Sequence, residues 1–261
     1  MTKTIGGKRV GIDVRGDGVP LLLIHGFPLH RGMFAPQLIG LSTVAKVITF
    51  DVPGVGESEP GPVSMDDIAD LAADVLTELG IEKAVVGGVS MGGYAAFSFA
   101  RRYPNRLLGL ILADTRAVAD SEAAKEGRAK MARLVEEEGV SAAADKMVPG
   151  WFGPSTLERR PEVVRQARAF VEAAPAEAVV LMLQALADRA DSTPGLGEIR
   201  VPALAISGEE DPLIPAAEMR EWAPQIPDAR QVVIPGTGHL PNLEDPEAFN
   251  RAVAAFVAEL T

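Results

Sequence analysis

Residues 83–103 restrict the fold more than any other stretch of the chain. Lys83-Ala84-Val85-Val86 reads as the end of a buried strand, Gly87-Gly88-Val89-Ser90-Met91-Gly92-Gly93 as a sharp turn, and Tyr94 to Tyr103 as an apolar helix. Inside the turn, Gly88-Val89-Ser90-Met91-Gly92 has the form G-x-S-x-G. Small residues on both sides let the backbone fold tightly and hold the serine hydroxyl out into a pocket. The Met91 N–H then points the same way as the hydroxyl, at a helix N-terminus that favours negative charge. A nucleophile and an anion-binding donor thus come from adjacent residues. Alone, the motif reads equally well as a glycine-rich turn that happens to contain a serine, so the remainder of the chain decides.

The flanking segments place this turn in a layered α/β fold. Lys8 to Arg15 alternates and ends at Gly16-Asp17-Gly18, which predicts an edge hairpin strand. Pro20 to Ile24, Val44 to Phe50, the Val85 run and Leu107 to Ala113 are continuously apolar, as strands buried on both faces are. A short helix is predicted near Met33 to Ile39. Another runs from a Ser64 cap to Gly80, with Ile68, Leu71, Ala72, Val75, Leu76 and Leu79 at helical spacing. Strand and helix alternate, which implies a parallel sheet with helices on both faces. From Thr115 to about Gly197 strand patterns vanish. Helical segments are predicted near Ser121–Glu138, Ser141–Met147, Arg160–Ala173 and Glu177–Asp188, interrupted by Gly139, Pro149-Gly150, Pro154 and Pro175. Strands resume at Pro202–Gly208 and Arg230–Ile234, with helices near Ala216–Trp222 and Pro246–Leu260. The division is therefore a core of residues 1–114 and 198–261 carrying a helical insertion, 115–197.

A serine hydroxyl needs a base, and the base needs an orienting acid. Position 93 is Gly93, so there is no Ser-x-x-Lys, and the chain has only three histidines: His25, His30 and His239. His239 lies in Gly236-Thr237-Gly238-His239-Leu240-Pro241 after the last strand, where sites form in such sheets. Asp211, in Gly208-Glu209-Glu210-Asp211-Pro212, also follows a strand and abuts a rigid proline; Glu209 and Glu210 compete for the same role. His25 is a second choice of base, and better suited to bracing the loop that offers the Phe27 N–H as a second oxyanion donor. His30 either lines the pocket or is simply exposed, Arg116 either binds a substrate carboxylate or is a surface arginine, and Leu240, beside His239, is a further substrate-binding candidate. Trp151, Phe152, Met147, Phe170, Leu181, Met182 and Leu186 are candidates to roof it.

Other chemistries find little support. With no cysteine there is no disulfide framework, thiol nucleophile or cysteine metal site. A net charge of −11 offers no basic stripe to nucleic acid or an anionic membrane. Gly54-Val55-Gly56 lacks the third glycine of a dinucleotide fingerprint, since position 59 is Glu59, and no Gly-Lys-Ser/Thr exists. The Asp51–Ser58 loop then reads as structural support, with Asp51 hydrogen-bonded beside the site. No metal spacing stands out. The longest apolar run, Leu107 to Ala113, is far short of the roughly 20 residues of a membrane span. No apolar stretch follows the basic beginning, Met1 to Arg9, so the chain is expected to be cytoplasmic.

Five pieces in register, His25-Gly26-Phe27-Pro28, Asp51-Val52-Pro53-Gly54-Val55-Gly56-Glu57-Ser58, Gly88 to Gly93, Gly208 to Pro212 and Gly236 to His239, resemble the α/β-hydrolase family over nearly the whole chain. The resemblance implies an eight-stranded, mostly parallel sheet flanked by helices, with a helical cap inserted after the sixth strand. It also implies Ser90 as nucleophile, His239 as base, Asp211 as orienting acid, and the Phe27 and Met91 N–H groups as the oxyanion hole, with no cofactor or metal. A serine at the elbow argues against the haloalkane dehalogenase and epoxide hydrolase branches, which use aspartate there. The sequence is most similar to small esterases, 3-oxoadipate enol-lactonase-like hydrolases and cofactor-free haloperoxidases. The expected activity is hydrolysis of small or medium carboxylic esters, with lactonase or perhydrolase activity on the same triad as the alternative. Carbon–carbon hydrolase, hydroxynitrile lyase and non-catalytic binding protein are less favoured.

Overall fold

The computed structural model describes residues 1–260 and contains one eight-stranded sheet. Its strands are β1 (Thr2–Ile5), β2 (Lys8–Arg15), β3 (Val19–Ile24), β4 (Ala45–Phe50), β5 (Ala84–Val89), β6 (Leu107–Ala113), β7 (Ala203–Gly208) and β8 (Ala229–Ile234). The spatial order is β1-β2-β4-β3-β5-β6-β7-β8. The β1–β2 and β2–β4 pairs are antiparallel and all others are parallel. Every residue of β5 and β7 is buried, as their continuous apolar runs require. Alternation along the strands separates two cores. Leu22, Ile24, Val86, Leu110, Leu112 and Ala205 face one side, and Leu21, Leu23, Val85, Ile111, Leu204 and Ile206 the other.

Helices α1 (Ala35–Gly40), α2 (Met65–Glu78) and α3 (Met91–Arg102) connect the first six strands. Between β6 and β7 lie only helical elements: α4 (Glu122–Glu138), α5 (Val140–Met147), α6 (Pro154–Arg159), α7 (Pro161–Glu172), α8 (Ala176–Ala187) and short 3-10 turns. The chain closes with α9 (Ala216–Trp222), α10 (Pro241–Glu244) and α11 (Pro246–Ala258). Ser64 caps α2 by accepting a hydrogen bond from the Asp67 N–H at 3.0 Å. Among the described residues no single helix is long and apolar enough to cross a membrane. The ends of the inserted helical segment are tied together by a buried ion pair. Arg189 donates to Asp120 at 2.6 Å and to the Val118 carbonyl, and its guanidinium lies 4.2 Å from the centre of the Tyr94 ring on α3.

Two details differ from the sequence expectation. Lys8–Arg15 is an interior strand, because the short, polar Thr2–Ile5 pairs outside it through a Gly6-Gly7 turn with both φ values positive, 56° and 81°. A four-residue strand with a single buried side chain carries no readable apolar pattern. Pro154 and Pro175 begin helices rather than merely interrupting them. Pro154 opens α6 and Pro175 is the N-cap of α8, positions where a missing N–H costs nothing.

Where β3 and β4 end, two buried groups stabilise the loops above the sheet. The Asp51 carboxylate accepts from the Arg31 N–H at 2.8 Å, the Glu57 N–H at 2.9 Å and the Arg31 guanidinium. His25 is fully buried, and its Nε2 accepts from the Val52 N–H at 3.0 Å. That leaves Nδ1 protonated to donate to the Gly26 carbonyl at 3.0 Å. Burial outweighs the attraction of the Gly26 carbonyl and of Asp51, and it holds the imidazole down at about 4. An unfolded histidine titrates near 6.5, so between these values the unfolded chain binds the extra proton. Stability from this group is therefore complete above pH 6.5 and is lost as pH falls toward 4, by on the order of 3 kcal/mol. Urea unfolding of wild type and H25N at pH 7 and pH 4.5 checks this. The variant, already less stable at pH 7, is expected to lose less between the two pH values.

Candidate active site

The carboxyl ends of neighbouring parallel strands bring the site together. Register pairs Val89 with Ala113, Ala113 with Ile206 and Gly208 with Ile234, so β5, β6, β7 and β8 end side by side. Ser90 follows β5 with φ 55° and ψ −114°, a conformation that a residue with a side chain adopts only under compulsion, at a cost of about 1–3 kcal/mol. The compulsion is close packing. A Cβ on Gly88 would collide with the Gly92 backbone, and one on Gly92 with the Ile24 carbonyl of β3. The turn is pinned through the Ser90 N–H to Ala113 (2.9 Å). The Ser90 carbonyl accepts from Gly93 (2.9 Å) and from the Thr115 hydroxyl (3.0 Å). Met91 then starts α3. Among the described residues neither the Met91 nor the Phe27 N–H donates to a protein acceptor.

His239 stands on the loop after β8, and its backbone N–H donates to the Trp151 carbonyl of the helical segment at 2.8 Å. Its Nδ1 lies 2.7 Å from Asp211 Oδ2. Asp211 Oδ1 accepts from the Leu213 and Ile214 N–H groups at 2.8 and 3.1 Å. Burial works to raise the Asp211 pKa, but the imidazole charge, its hydrogen bond and these two N–H groups prevail and hold it below the usual carboxylate value. An ionised Asp211 cannot donate, so Nδ1 carries the proton and Nε2 keeps a free lone pair. Glu209 and Glu210 do not reach the ring. Glu209 accepts from the Gly236 N–H at 3.1 Å and Glu210 from Ser155 at 2.6 and 2.9 Å.

Ser90 and His239 line a common cavity of about 370 Å³ beneath the helical segment. No hydrogen bond joins their side chains, so the proton path between them closes only with a small shift of either side chain within the cavity. Phe27, Arg116, Trp151 and Leu240 also line it, as do Met147 and Leu186. His30 and Leu181 do not. His30 instead caps a 3-10 turn, accepting from the Gly32 N–H at 3.1 Å, with its ring edge-on to Phe170. Leu181 is two residues from Leu183, about 200° around a helix, so when Leu183 faces the cavity Leu181 cannot.

Three residues absent from the sequence reading contribute to this geometry. Thr115 holds the serine turn, as above. Glu244 of α10 accepts from the Gly238 N–H (2.8 Å), the Leu240 N–H (2.9 Å) and the Thr156 hydroxyl (2.5 Å), clamping the backbone on both sides of His239. Asp114, fully buried at the end of β6 with φ 41°, accepts from the Gly208 N–H at 2.8 Å. One ligand-type atom each of Asp114, Asp211 and His239 lie within 4.8 Å of one another. These are donor types a metal site uses, but a direct carboxylate–imidazole hydrogen bond joins two of them. The one sequence signal for Asp114 is an acid placed directly after a buried strand, as Asp51 is after β4.

Comparison with known proteins agrees with this architecture. A 3-oxoadipate enol-lactonase 2 from Acinetobacter baylyi is 30% identical over 243 residues, 92% of this chain and 89% of that protein. The structure of a thermophilic esterase from Thermogutta terrifontis, with malate bound, superimposes with a TM-score of 0.95 at 39% identity, covering 100% of this chain and 98% of that one. The enol-lactonase from Burkholderia xenovorans LB400 superimposes with a TM-score of 0.90 at 28% identity, covering 99% and 100%. The family model described as "Alpha/beta hydrolase family" matches residues 21–252, and the chain belongs to that family.

Proposed function

We propose that this α/β hydrolase cleaves carboxylic esters through an acyl-enzyme on Ser90. The observation that carries this reading is the Asp211–His239 hydrogen bond beside a cavity that Ser90 shares. His239 Nε2 takes the Ser90 proton as Oγ attacks the ester carbonyl. The oxyanion is held by the Phe27 and Met91 N–H groups, neither of which has a protein acceptor among the described residues; removal of one such donor typically costs about 10²–10³ in turnover. The imidazolium then protonates the departing alcohol. Water enters, gives a proton to His239 and cleaves the acyl-enzyme, returning Ser90 to its hydroxyl form. Ester and lactone hydrolysis differ here only in whether the alcohol stays attached to the acyl group. The names of the relatives, esterase and enol-lactonase, support both.

A second observation favours substrates that carry a carboxylate. The chain bears a net charge of −11, yet among the described residues the charged side chains lining the cavity are Arg116, Arg128 and Lys146, with no Asp or Glu. Arg116 is held by the Leu213 carbonyl at 2.9 Å and by Glu218 at 3.1 Å, and so by the loop that carries Asp211. Arg116 is ion-paired with Glu218 and Arg128 with Asp120 at 3.0 Å, so among the described residues the lining cation without an ion pair is Lys146, and attraction for an anionic substrate group rests chiefly on it.

A panel of p-nitrophenyl esters, simple lactones and half-esters of dicarboxylic acids tests the reading. Wild type is expected to turn over short esters or lactones, with a lower KM for carboxylate-bearing members. S90A is expected to lose at least about 10⁴-fold in kcat; hydrolysis undiminished in S90A would end the proposal. In the same assay D211N is expected to fall on the order of 10⁴-fold, because the amide stabilises the wrong tautomer of His239. E209Q and E210Q stay near wild type, and a large loss in either would move the orienting role away from Asp211.

A further inference from the structure

Asp114 is a buried acid that the scheme above does not use. It has no solvent exposure, and one of its oxygens is engaged by the Gly208 N–H. The other oxygen, Oδ2, finds no donor among the described residues. The side chain instead faces another carboxyl group, since a carboxylate oxygen of Asp114 and one of Asp211 lie within 4.8 Å of each other. Asp211 is already supplied with donors: Leu213 and Ile214 on Oδ1 and His239 on Oδ2. Two buried carboxylates cannot share such a contact, because neither has a hydrogen to give and their charges repel. A proton on Asp114 Oδ2 removes both difficulties at once.

We propose that Asp114 is a positioning residue: as a neutral carboxylic acid it donates a hydrogen bond from Oδ2 to the Asp211 carboxylate, fixing the rotamer in which Asp211 orients His239. This rests on the triad reading for its catalytic consequence, though not for the carboxyl pair itself. The charged groups acting on Asp114 are Asp211 from the loop after β7 and Glu244 from α10, both of which disfavour ionisation. His239, from the loop after β8, lies beside it but spends its Nδ1–H on Asp211. Burial, followed by the Asp211 charge, pushes the Asp114 pKa well above the usual carboxylate value. The arrangement also gives φ 41° at Asp114 a purpose, since the strained turn aims the carboxyl at Asp211 while Thr115 reaches the Ser90 carbonyl.

Two variants and one spectroscopic readout test the proposal. D114A removes the donor and is expected to lower kcat about 10–100-fold with KM for a short ester unchanged. D114N retains an acceptor for Gly208 and an N–H donor for Asp211. It is expected to restore most of that loss, and to leave the acid limb of kcat/KM against pH where wild type has it. The infrared difference spectrum of wild type minus D114N at neutral pH is expected to show the C=O stretch of one protonated carboxylic acid. Absence of that band overturns the proposal. So does an acid limb displaced downward by about one pH unit or more in D114N, which would mean that an ionised charge had been removed beside His239. Full kcat in a folded D114A overturns the positioning role. If D114A does not fold, D114N carries the test through its pH profile and spectrum. If the protein turns over no ester at all, the infrared band still decides whether the carboxyl pair exists, so the two readings fail separately.

Discussion

The close approach of three backbones around Ser90 is the constraint on which the site depends. Strands β5 and β3 and helix α3 come together where Gly88 meets the Gly92 backbone and Gly92 meets the Ile24 carbonyl, so a side chain at either position is excluded. That crowding forces Ser90 into a left-handed backbone and leaves the Met91 N–H at the helix start without an acceptor. Hydrogen bonds from the neighbouring strand hold the turn there, with Ser90 N–H on Ala113 and Thr115 on the Ser90 carbonyl. The strain of one residue is sustained by a sheet that is buried on both faces.

Around His239 the structure gathers three buried acids, Asp114, Asp211 and Glu244, and gives each a different state through its partners. Asp211 has two backbone donors and the imidazole, and is held low. Glu244 has three donors, yet burial still raises it, because the imidazole acts on it only from a distance. Asp114 has a single backbone donor and faces the other two acids, and it is driven well up. One ionised carboxylate against the imidazole is what the base role proposed for His239 requires; a neutral Asp114 holds that carboxylate without adding to its charge, while Glu244 is engaged by the Gly238 and Leu240 N–H groups on either side of His239. The helical segment contributes as well, since the Trp151 carbonyl holds the His239 backbone and Thr156 holds Glu244.

Much of this was legible in the sequence because the informative residues are scarce or punctuated. Three histidines leave few choices of base, and glycines mark the loops after β5, β7 and β8. Continuous apolar runs disclose the parallel sheet. What stayed hidden depends on register and phase. Among three consecutive acids, Glu209 to Asp211, the sequence favours Asp211 only through its proline neighbour, and the physical reason, the Leu213 and Ile214 N–H groups on its carboxylate, is visible only in the fold. Asp114 acquires its meaning from the β6–β7 pairing, and Glu244 from a four-residue helix folding back on its own loop. His30 and Leu181 look equally suited to a pocket from composition alone, but a helix cap and a helix phase direct them elsewhere. Thr2–Ile5 is too short and polar to announce itself as an edge strand.

The central claim is that Ser90 becomes covalently acylated during turnover. Intact-mass and peptide-mass spectrometry of the enzyme quenched during the initial burst with a p-nitrophenyl ester tests it most directly. The account predicts one acyl group per chain, located on the peptide containing Ser90, rising in step with the p-nitrophenol burst and absent from S90A. Acyl groups found on another residue, or sustained turnover with no adduct at Ser90 even when deacylation is slowed, would contradict it.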